Sequence, residues 1–226
     1  MYTLYLVTDA GLSNGLSHPE ICELACRGGA DVIQLRDKEI DDPMFSRYAR
    51  EMKRICDRYG ALFIVNDRFD IALECEADGA HLGQSDLPIA EARERAPEGF
   101  ILGCSVGSPE EAVKAERDGA SYVALSPVFD SSSKDDAGPG HGLKILTEIR
   151  KAVKIPVLAI GGINKENAAS VVKAGAEGLA VISAVVSQPD VEKAARELRE
   201  IIVRASSDRR LPCPRRIPVR DLSPDR

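Results

Sequence analysis

Gly28-Gly29-Ala30-Asp31-Val32-Ile33-Gln34-Leu35-Arg36-Asp37-Lys38-Glu39 reads as a helix end, a short apolar strand and a polar cluster, in that order. A helix C-terminus commonly takes glycine because the chain there enters positive φ, and a small residue next lets it turn tightly into a strand. The same punctuation recurs at Asp78-Gly79-Ala80, Asp118-Gly119-Ala120-Ser121 and Ala174-Gly175-Ala176-Glu177, each read as ending a helix before an even-numbered strand. Apolar runs lie at 4–7, 32–35, 62–65, 80–82, 101–104, 122–125, 157–160 and 179–182. Between them are segments with helical spacing, such as 108–118 and 164–174; Ser108-Pro109-Glu110-Glu111 carries an N-cap serine, proline at the first position and glutamate at the third. Alternating strand and helix implies a parallel sheet with right-handed crossovers, and eight such units predict a closed (β/α)8 TIM barrel, class α/β. An open doubly wound sheet is the alternative, but Thr8-Asp9-Ala10 follows the first strand where that fold usually has a glycine-rich turn.

The 226 residues allow one such barrel, since domains run to roughly 150 residues with wide scatter. The barrel is assigned to residues 1–204. The segment 205–226, with Pro212, Pro214, Pro218 and Pro224 among Arg209, Arg210, Arg215, Arg216, Arg220 and Arg226, is read as a disordered, solvated tail. The absence of Trp and 4% aromatics disfavour a base-stacking nucleic-acid surface, and a net charge of −6 agrees, so no nucleic-acid partner is expected. No apolar run approaches a membrane span or a signal-peptide core, so no membrane partner and a cytoplasmic location are expected. Cys22, Cys26, Cys56, Cys75, Cys104 and Cys213 contain no C-x-x-C pair and read as buried thiols.

In a barrel the loops following the strands meet at one face, so polar clusters after successive runs become neighbours. Gln34, Arg36 and Lys38, two apart, are expected on one side as three donors for one anion. Asp67 and Asp86, after adjacent strands, suit a hard divalent ion beside phosphate, with Asn66 orienting Asp67 or donating to the ligand. Ser105 offers a further hydroxyl. The long loop Ser126 to Gly140, with Ser131, Ser133 and Lys134, reads as a lid. Gly161-Gly162 and Ile182-Ser183 offer backbone amides for a second phosphate. His18, His81 and His141 show no partner motif, His81 being expected to pack inside or line strand 4. The two anion pockets suit departure of pyrophosphate and its replacement by a second phosphorylated ligand, with no base or covalent nucleophile.

The ordered set Leu4-Tyr5-Leu6-Val7-Thr8-Asp9, Gln34-Leu35-Arg36-Asp37-Lys38, Val65-Asn66-Asp67, Leu82-Gly83-Gln84-Ser85-Asp86, Gly103-Cys104-Ser105, Ser133-Lys134 and Ile160-Gly161-Gly162-Ile163 resembles thiamine phosphate synthases over residues 1 to about 204. The resemblance implies a transferase that joins 4-amino-5-hydroxymethyl-2-methylpyrimidine diphosphate to 4-methyl-5-(2-phosphoethyl)thiazole, or its carboxylated form, releasing pyrophosphate through a dissociative, Mg²⁺-assisted reaction. By position, it implies Asp67 and Asp86 as Mg²⁺ ligands, and Gln34, Arg36, Lys38, Asn66, Ser105 and Lys134 at the pyrimidine diphosphate. Of these, Arg36, Lys38, Lys134 and Ser105 are the implied catalytic residues. It implies Gly162, Ile182, Ser183, Ser131 and Ser133 at the thiazole phosphate. The chain departs from the family at Asp130-Ser131-Ser132-Ser133-Lys134, where Pro-Thr-x-Thr-Lys is common, and at Gly107, where histidine is common. A thiazole tautomerase of the same superfamily and a non-catalytic phosphate-binding barrel are the alternative readings. A homo-oligomer is compatible with the sequence.

Overall fold

The computed structural model describes residues 3–130 and 139–207. Eight parallel strands, β1 (Leu4–Val7), β2 (Val32–Leu35), β3 (Leu62–Asn66), β4 (Gly79–Leu82), β5 (Ile101–Val106), β6 (Tyr122–Leu125), β7 (Val157–Ile160) and β8 (Gly178–Val181), pair in chain order into a closed barrel. The ring seals where β1 meets β8, with Leu4 opposite Leu179 and Leu6 opposite Val181. Nine helices are described: α1 (His18–Arg27), α2 (Asp42–Tyr59), α3 (Phe69–Glu74), α4 (Ile89–Arg95), α5 (Pro109–Arg117), α6 (Gly142–Ala152), α7 (Ala168–Ala174), α8 (Ser183–Val186) and α9 (Val191–Ser207). The expected TIM barrel is therefore present. Among the described residues no helix is long and apolar enough to cross a membrane.

The helices start where their capping chemistry dictates. Ser108 accepts from the Glu111 amide at 3.2 Å ahead of Pro109, and Asp41 accepts from the Met44 amide at 3.0 Å ahead of Pro43. The segment 164–174 becomes helical only from Ala168, because the Asn164 and Asn167 side chains fold its first residues into a turn. Helix α9 runs to Ser207 with Ala205 buried, so the last barrel helix includes the first residues of the segment read as tail.

The repeated punctuation has a further use. Asp31 Oδ2 accepts from the amides of Thr3 and Leu4 at 2.9 and 3.0 Å, Asp78 Oδ2 from Phe63 at 2.8 Å, Ser121 Oγ from Leu102 at 3.1 Å, and Glu177 Oε2 from Val157 at 3.1 Å. The polar residue before each even strand thus holds the first amides of the odd strand beside it, knitting the barrel into four two-strand units. The helix-ending role expected for Gly79 is corrected. Helix α3 closes at Glu74, and Gly79 is the first residue of β4, where a Cβ would lie 2.1 Å from the Ile101 carbonyl oxygen. There glycine permits close strand approach instead of a helix cap.

Removing one of these acceptors leaves buried strand amides without a partner. Asp31→Ala is expected to lower the unfolding free energy by about 1–3 kcal/mol, measured by urea denaturation, with the denaturant slope unchanged. A midpoint equal to that of the parent would contradict the stapling role.

Candidate active site

At the C-terminal end of the barrel is a cavity of about 330 Å³, lined among others by Arg36, Lys38, Asn66, Asp67, Asp86 and Ser105. These six come from β2 to β5 and the turns after them, so the curvature of the sheet assembles the residues expected there. Ser105 lies within β5, one residue before its end, whereas the sequence placed it after the strand.

The acidic pair is the electrostatic centre. Asp67 follows β3 in a left-handed conformation (φ 59°), a region that aspartate and asparagine tolerate better than other side chains. Its amide donates to the His81 carbonyl at 2.9 Å, which fixes the turn beside β4. Burial pushes the Asp67 carboxyl up to about 6, a hydrogen bond and charge from Asp86 push the same way, and Lys38 and Arg36 oppose them. Asp86 in turn accepts from the Gly83 amide at 2.6 Å. Two carboxyls thus converge beside two cationic side chains.

The strands' interior carries a chain of polar groups below this cavity. Gln34 Nε2 donates to Tyr5 Oη at 2.7 Å, Tyr5 Oη lies 3.0 Å from Tyr122 Oη, Tyr122 Oη 2.9 Å from His81 Nδ1, and His81 Nε2 2.9 Å from Ser105 Oγ. Gln34, expected to converge with Arg36 and Lys38 on one anion, lies below them in this structure. Gln34 is 3% exposed and its amide serves Tyr5, because it still belongs to β2 and faces the barrel interior, whereas Arg36 and Lys38 lie beyond the strand and line the cavity. Gly103 makes room for the chain: a Cβ there would fall 2.1 Å from Tyr122 Cζ and 2.5 Å from His81 Nδ1.

The loop carrying the cations is braced from two sides. Asp37 Oδ2 pairs with His18 Nε2 at 2.9 Å, while its Oδ1 accepts from the amides of Glu39 and Ile40. His18 Nδ1 meets Thr8 Oγ1 at 2.8 Å, so His18, read as having no partner, is fully engaged. Arg68, the residue before α3, reaches the Ile40 carbonyl at 2.7 Å and Asp42 at 2.8 Å. With Asp37 turned to His18, its neighbours Arg36 and Lys38 face the cavity.

On the opposite side of the barrel mouth, Gly161 and Gly162, expected to offer backbone amides to a phosphate, also pack against another segment. Both have positive φ, and their Cα atoms are covered: a Cβ on Gly161 would sit 2.4 Å from Pro127 Cβ, and one on Gly162 2.7 Å from the Asp130 carbonyl oxygen. Their main use is close approach of the 127–130 segment, whose Val128 and Phe129 amides donate to Ile160 and Gly161. Ile182 precedes α8 and Ser183 begins it, at the same barrel end; neither lines the 330 Å³ cavity. Ser131, Ser133 and Lys134 lie outside the described residues. The described ends of their loop are joined by the Gly140 amide donating to Asp130 Oδ1 at 2.8 Å. The space beside Gly107 is taken by the His141 ring, whose Cε1 lies 3.0 Å from where a Cβ would be.

Sequence reasoning gave no individual role to Tyr5, Tyr122, Gln84 or Glu111, although Tyr5 and Gln84 stand in the motifs quoted above; Gln84 and Glu111 line the cavity and the two tyrosines support it. Gln84 donates to the Ser105 carbonyl at 2.6 Å and Glu111 accepts from the Gly107 amide at 2.7 Å. The available signal for Tyr5 and Tyr122 was an aromatic hydroxyl inside an apolar strand, which requires a buried partner.

The raised Asp67 carboxyl predicts a pH effect. The folded state holds this proton more tightly than the unfolded chain, whose aspartates titrate near 3.9, so stability falls as pH rises from about 4 through about 6. In chelator, Asp67→Asn is expected to flatten that fall in urea midpoints measured from pH 4.5 to 7.5. Parallel curves for parent and variant would contradict it.

Comparison with known proteins places this geometry in context. The family model described as thiamine monophosphate synthase matches residues 4–185. A thiamine-phosphate synthase of Methanocella arvoryzae is 59% identical over 201 residues, covering 89% of this chain and 95% of the relative. One of Methanoregula boonei is 55% identical, covering 92% and 96%. The solved thiamine phosphate pyrophosphorylase of Pyrococcus furiosus superposes with a TM-score of 0.84 at 44% identity, covering 90% of this chain and 96% of that one.

Proposed function

The chain belongs to the thiamine monophosphate synthase family, a transferase family acting on phosphorylated small molecules, and from that premise we propose its substrates and the part each cavity residue plays. The reaction proposed is the joining of 4-amino-5-hydroxymethyl-2-methylpyrimidine diphosphate to 4-methyl-5-(2-phosphoethyl)thiazole, giving thiamine phosphate and pyrophosphate. The observation that carries this reading is the cavity in which Arg36, Lys38 and Asn66 stand beside the Asp67 and Asp86 pair. A diphosphate needs cations and amide donors around its oxygens, and these residues supply them from adjacent strand ends.

The acidic pair fits Mg²⁺ on the chemistry of its donors. Asp67 is pushed toward neutrality by burial and by the neighbouring Asp86, a crowding of carboxyls that a bound cation would relieve. Asp67 and Asp86 would hold the ion, two carboxylates being the number Mg²⁺ commonly takes alongside phosphate oxygens and water. When bound, Mg²⁺ supplies positive charge to a departing diphosphate.

The remaining steps fall to the chain's own groups. Arg36 and Lys38 neutralise charge that grows on the diphosphate oxygens as the carbon–oxygen bond lengthens, an effect strongest in a site walled off from water. Ser105, its hydroxyl held by His81, is placed to orient the same ligand. Both ring nitrogens of His81 are engaged, by Tyr122 and Ser105, and Glu111 is bound to the Gly107 amide. The cavity is therefore provided with charge and positioning, which suits a dissociative departure followed by capture by the thiazole nitrogen. Gly162, Ile182, Ser183, Ser131, Ser133 and Lys134 are assigned to the ligands by family resemblance. The Pro127 to Asp130 segment packed on Gly161 and Gly162 joins the two halves of the mouth.

Assay of the purified chain with both substrates is expected to yield thiamine phosphate and pyrophosphate, with loss of turnover in chelator restored by Mg²⁺. Arg36→Ala and Asp67→Asn are each expected to lower turnover at least ~100-fold; asparagine keeps the left-handed turn accessible, so a loss there reports the charge. Turnover near that of the parent in both variants would remove the assigned roles.

A further inference from the structure

Three of the six cysteines meet on the outer helical layer, away from the cavity. Cys22 and Cys26 are one turn apart on α1, and Cys56 comes from the facing side of α2. Their sulfurs all lie within 4.8 Å of one another, with Cys22 and Cys56 at 3.7 Å. Among the described residues this is the one group of three or more such ligand atoms so close together. All three side chains are buried, Cys26 alone reaching 7% exposure. The same helix faces carry buried Ile21, Ala25, Met52 and Ile55.

The geometry points to a three-sulfur site for trivalent arsenic, taken up as arsenous acid. Soft thiolate ligands select thiophilic ions, and the choice among those ions follows from ligand count and charge. Structural zinc almost always takes four ligands, and among the described residues no fourth histidine, cysteine or carboxylate stands within the cluster. Zinc with three thiolates would leave one negative charge in an apolar layer and copper(I) would leave two, and buried unpaired charge is costly. Trivalent arsenic binds three sulfurs and cancels three thiolate charges, so a neutral centre forms.

The reaction balances without any oxidant or reductant. Arsenous acid meets three thiols; three As–O and three S–H bonds break, three As–S and three O–H bonds form, and three waters leave. Hydrogen bonding and charge from Cys26, with burial, push the Cys22 thiol up against an opposing hydrogen bond from Cys56, and hydrogen bonds to Cys22 and Cys26 together with burial push Cys56 up. Cys26, accepting from Cys22 and Cys56, is held below its ordinary value and is also the thiol nearest solvent. It is the first nucleophile, and the other two close the centre, tying α1 to α2.

The test uses the full, reduced chain titrated with sodium arsenite in buffer free of small dithiols. Native mass spectrometry is expected to show one arsenic per chain, and a thiol count after denaturation to fall from six to three. Cys22→Ser, Cys26→Ser and Cys56→Ser are each expected to weaken binding on the order of 100-fold, as when one arm of a multidentate contact is lost, while Cys75→Ser binds as the parent does. Should a serine variant fail to fold by circular dichroism, phenylarsine oxide, which accepts two sulfurs only, replaces it: weaker retention than arsenite is expected. An unchanged thiol count, a loss of two thiols with arsenite, or equal affinity in Cys56→Ser would overturn the site. Displacement of arsenite by stoichiometric zinc or copper(I) would overturn the assignment to arsenic.

Discussion

Closure of eight parallel strands into one ring, sealed between β1 and β8, is the constraint on which the arrangement of functional groups depends. Side chains from residues 36, 66, 86 and 105 are remote along the chain and share a cavity wall only because successive strands end on the same rim. The ring is maintained from its opposite end. Asp31, Asp78, Ser121 and Glu177 each return a side-chain oxygen to the amides that begin the preceding strand. Stability is thereby concentrated at the N-terminal end of the barrel, which leaves the C-terminal loops free to be selected for chemistry.

Inside the ring, between these two ends, lies the chain of polar groups from Gln34 to Ser105. A buried phenol or imidazole without a partner would be costly, yet here each one is matched to the next. Burial holds the Tyr5 and Tyr122 phenols far above their ordinary range, so both remain neutral hydrogen-bonding groups at any pH the fold experiences. Ser105 consequently has an orientation set from below, by residues that do not line the upper cavity wall beside it, apart from His81. A glycine is required at position 103 for the same reason, since the Tyr122 and His81 rings occupy the place of its side chain.

The barrel, its strand order and the cavity residues Arg36, Lys38, Asn66, Asp67, Asp86 and Ser105 were legible because each depends on local pattern: apolar runs, capping residues, and polar groups at run ends. What was not legible depends on depth and on distant pairing. Gln34 and Arg36 share a strand face in sequence terms, but one lies inside the ring and the other beyond its rim, and alternation alone carries no information on that height. His18 lies far in sequence from any recognisable partner motif, and only the packing of α1 against the β2 loop brings Asp37 to it. The Gly161-Gly162 pair has one sequence signature for two purposes, cradling a ligand or admitting another stretch of backbone. The approach of Pro127 to Asp130 shows the second use, which the sequence pattern alone did not reveal. The cysteines show the same limit: a search for C-x-x-C passes over a helical i, i+4 pair completed from another helix.

The placement of charge around the cavity follows from these constraints taken together. Asp37 stands between Arg36 and Lys38 in sequence, and a carboxylate aimed into the cavity there would cancel much of the field that an anionic ligand requires. His18 and the amides of Glu39 and Ile40 occupy both its oxygens, so the negative charge is held at the back of the loop. Arg68 fixes the same loop from the other side through the Ile40 carbonyl and Asp42, spending its own charge outside the cavity. Of the carboxyls that line the cavity, Glu111 is tied to the Gly107 amide, while Asp67 and Asp86 stand together, and burial, with Asp86 beside it, raises Asp67 toward neutrality. Cationic side chains, an uncharged amide and hydroxyl, and one acidic pair are thus segregated within a few strand ends. That segregation, more than any single residue, sets the field that a phosphorylated ligand meets at this rim.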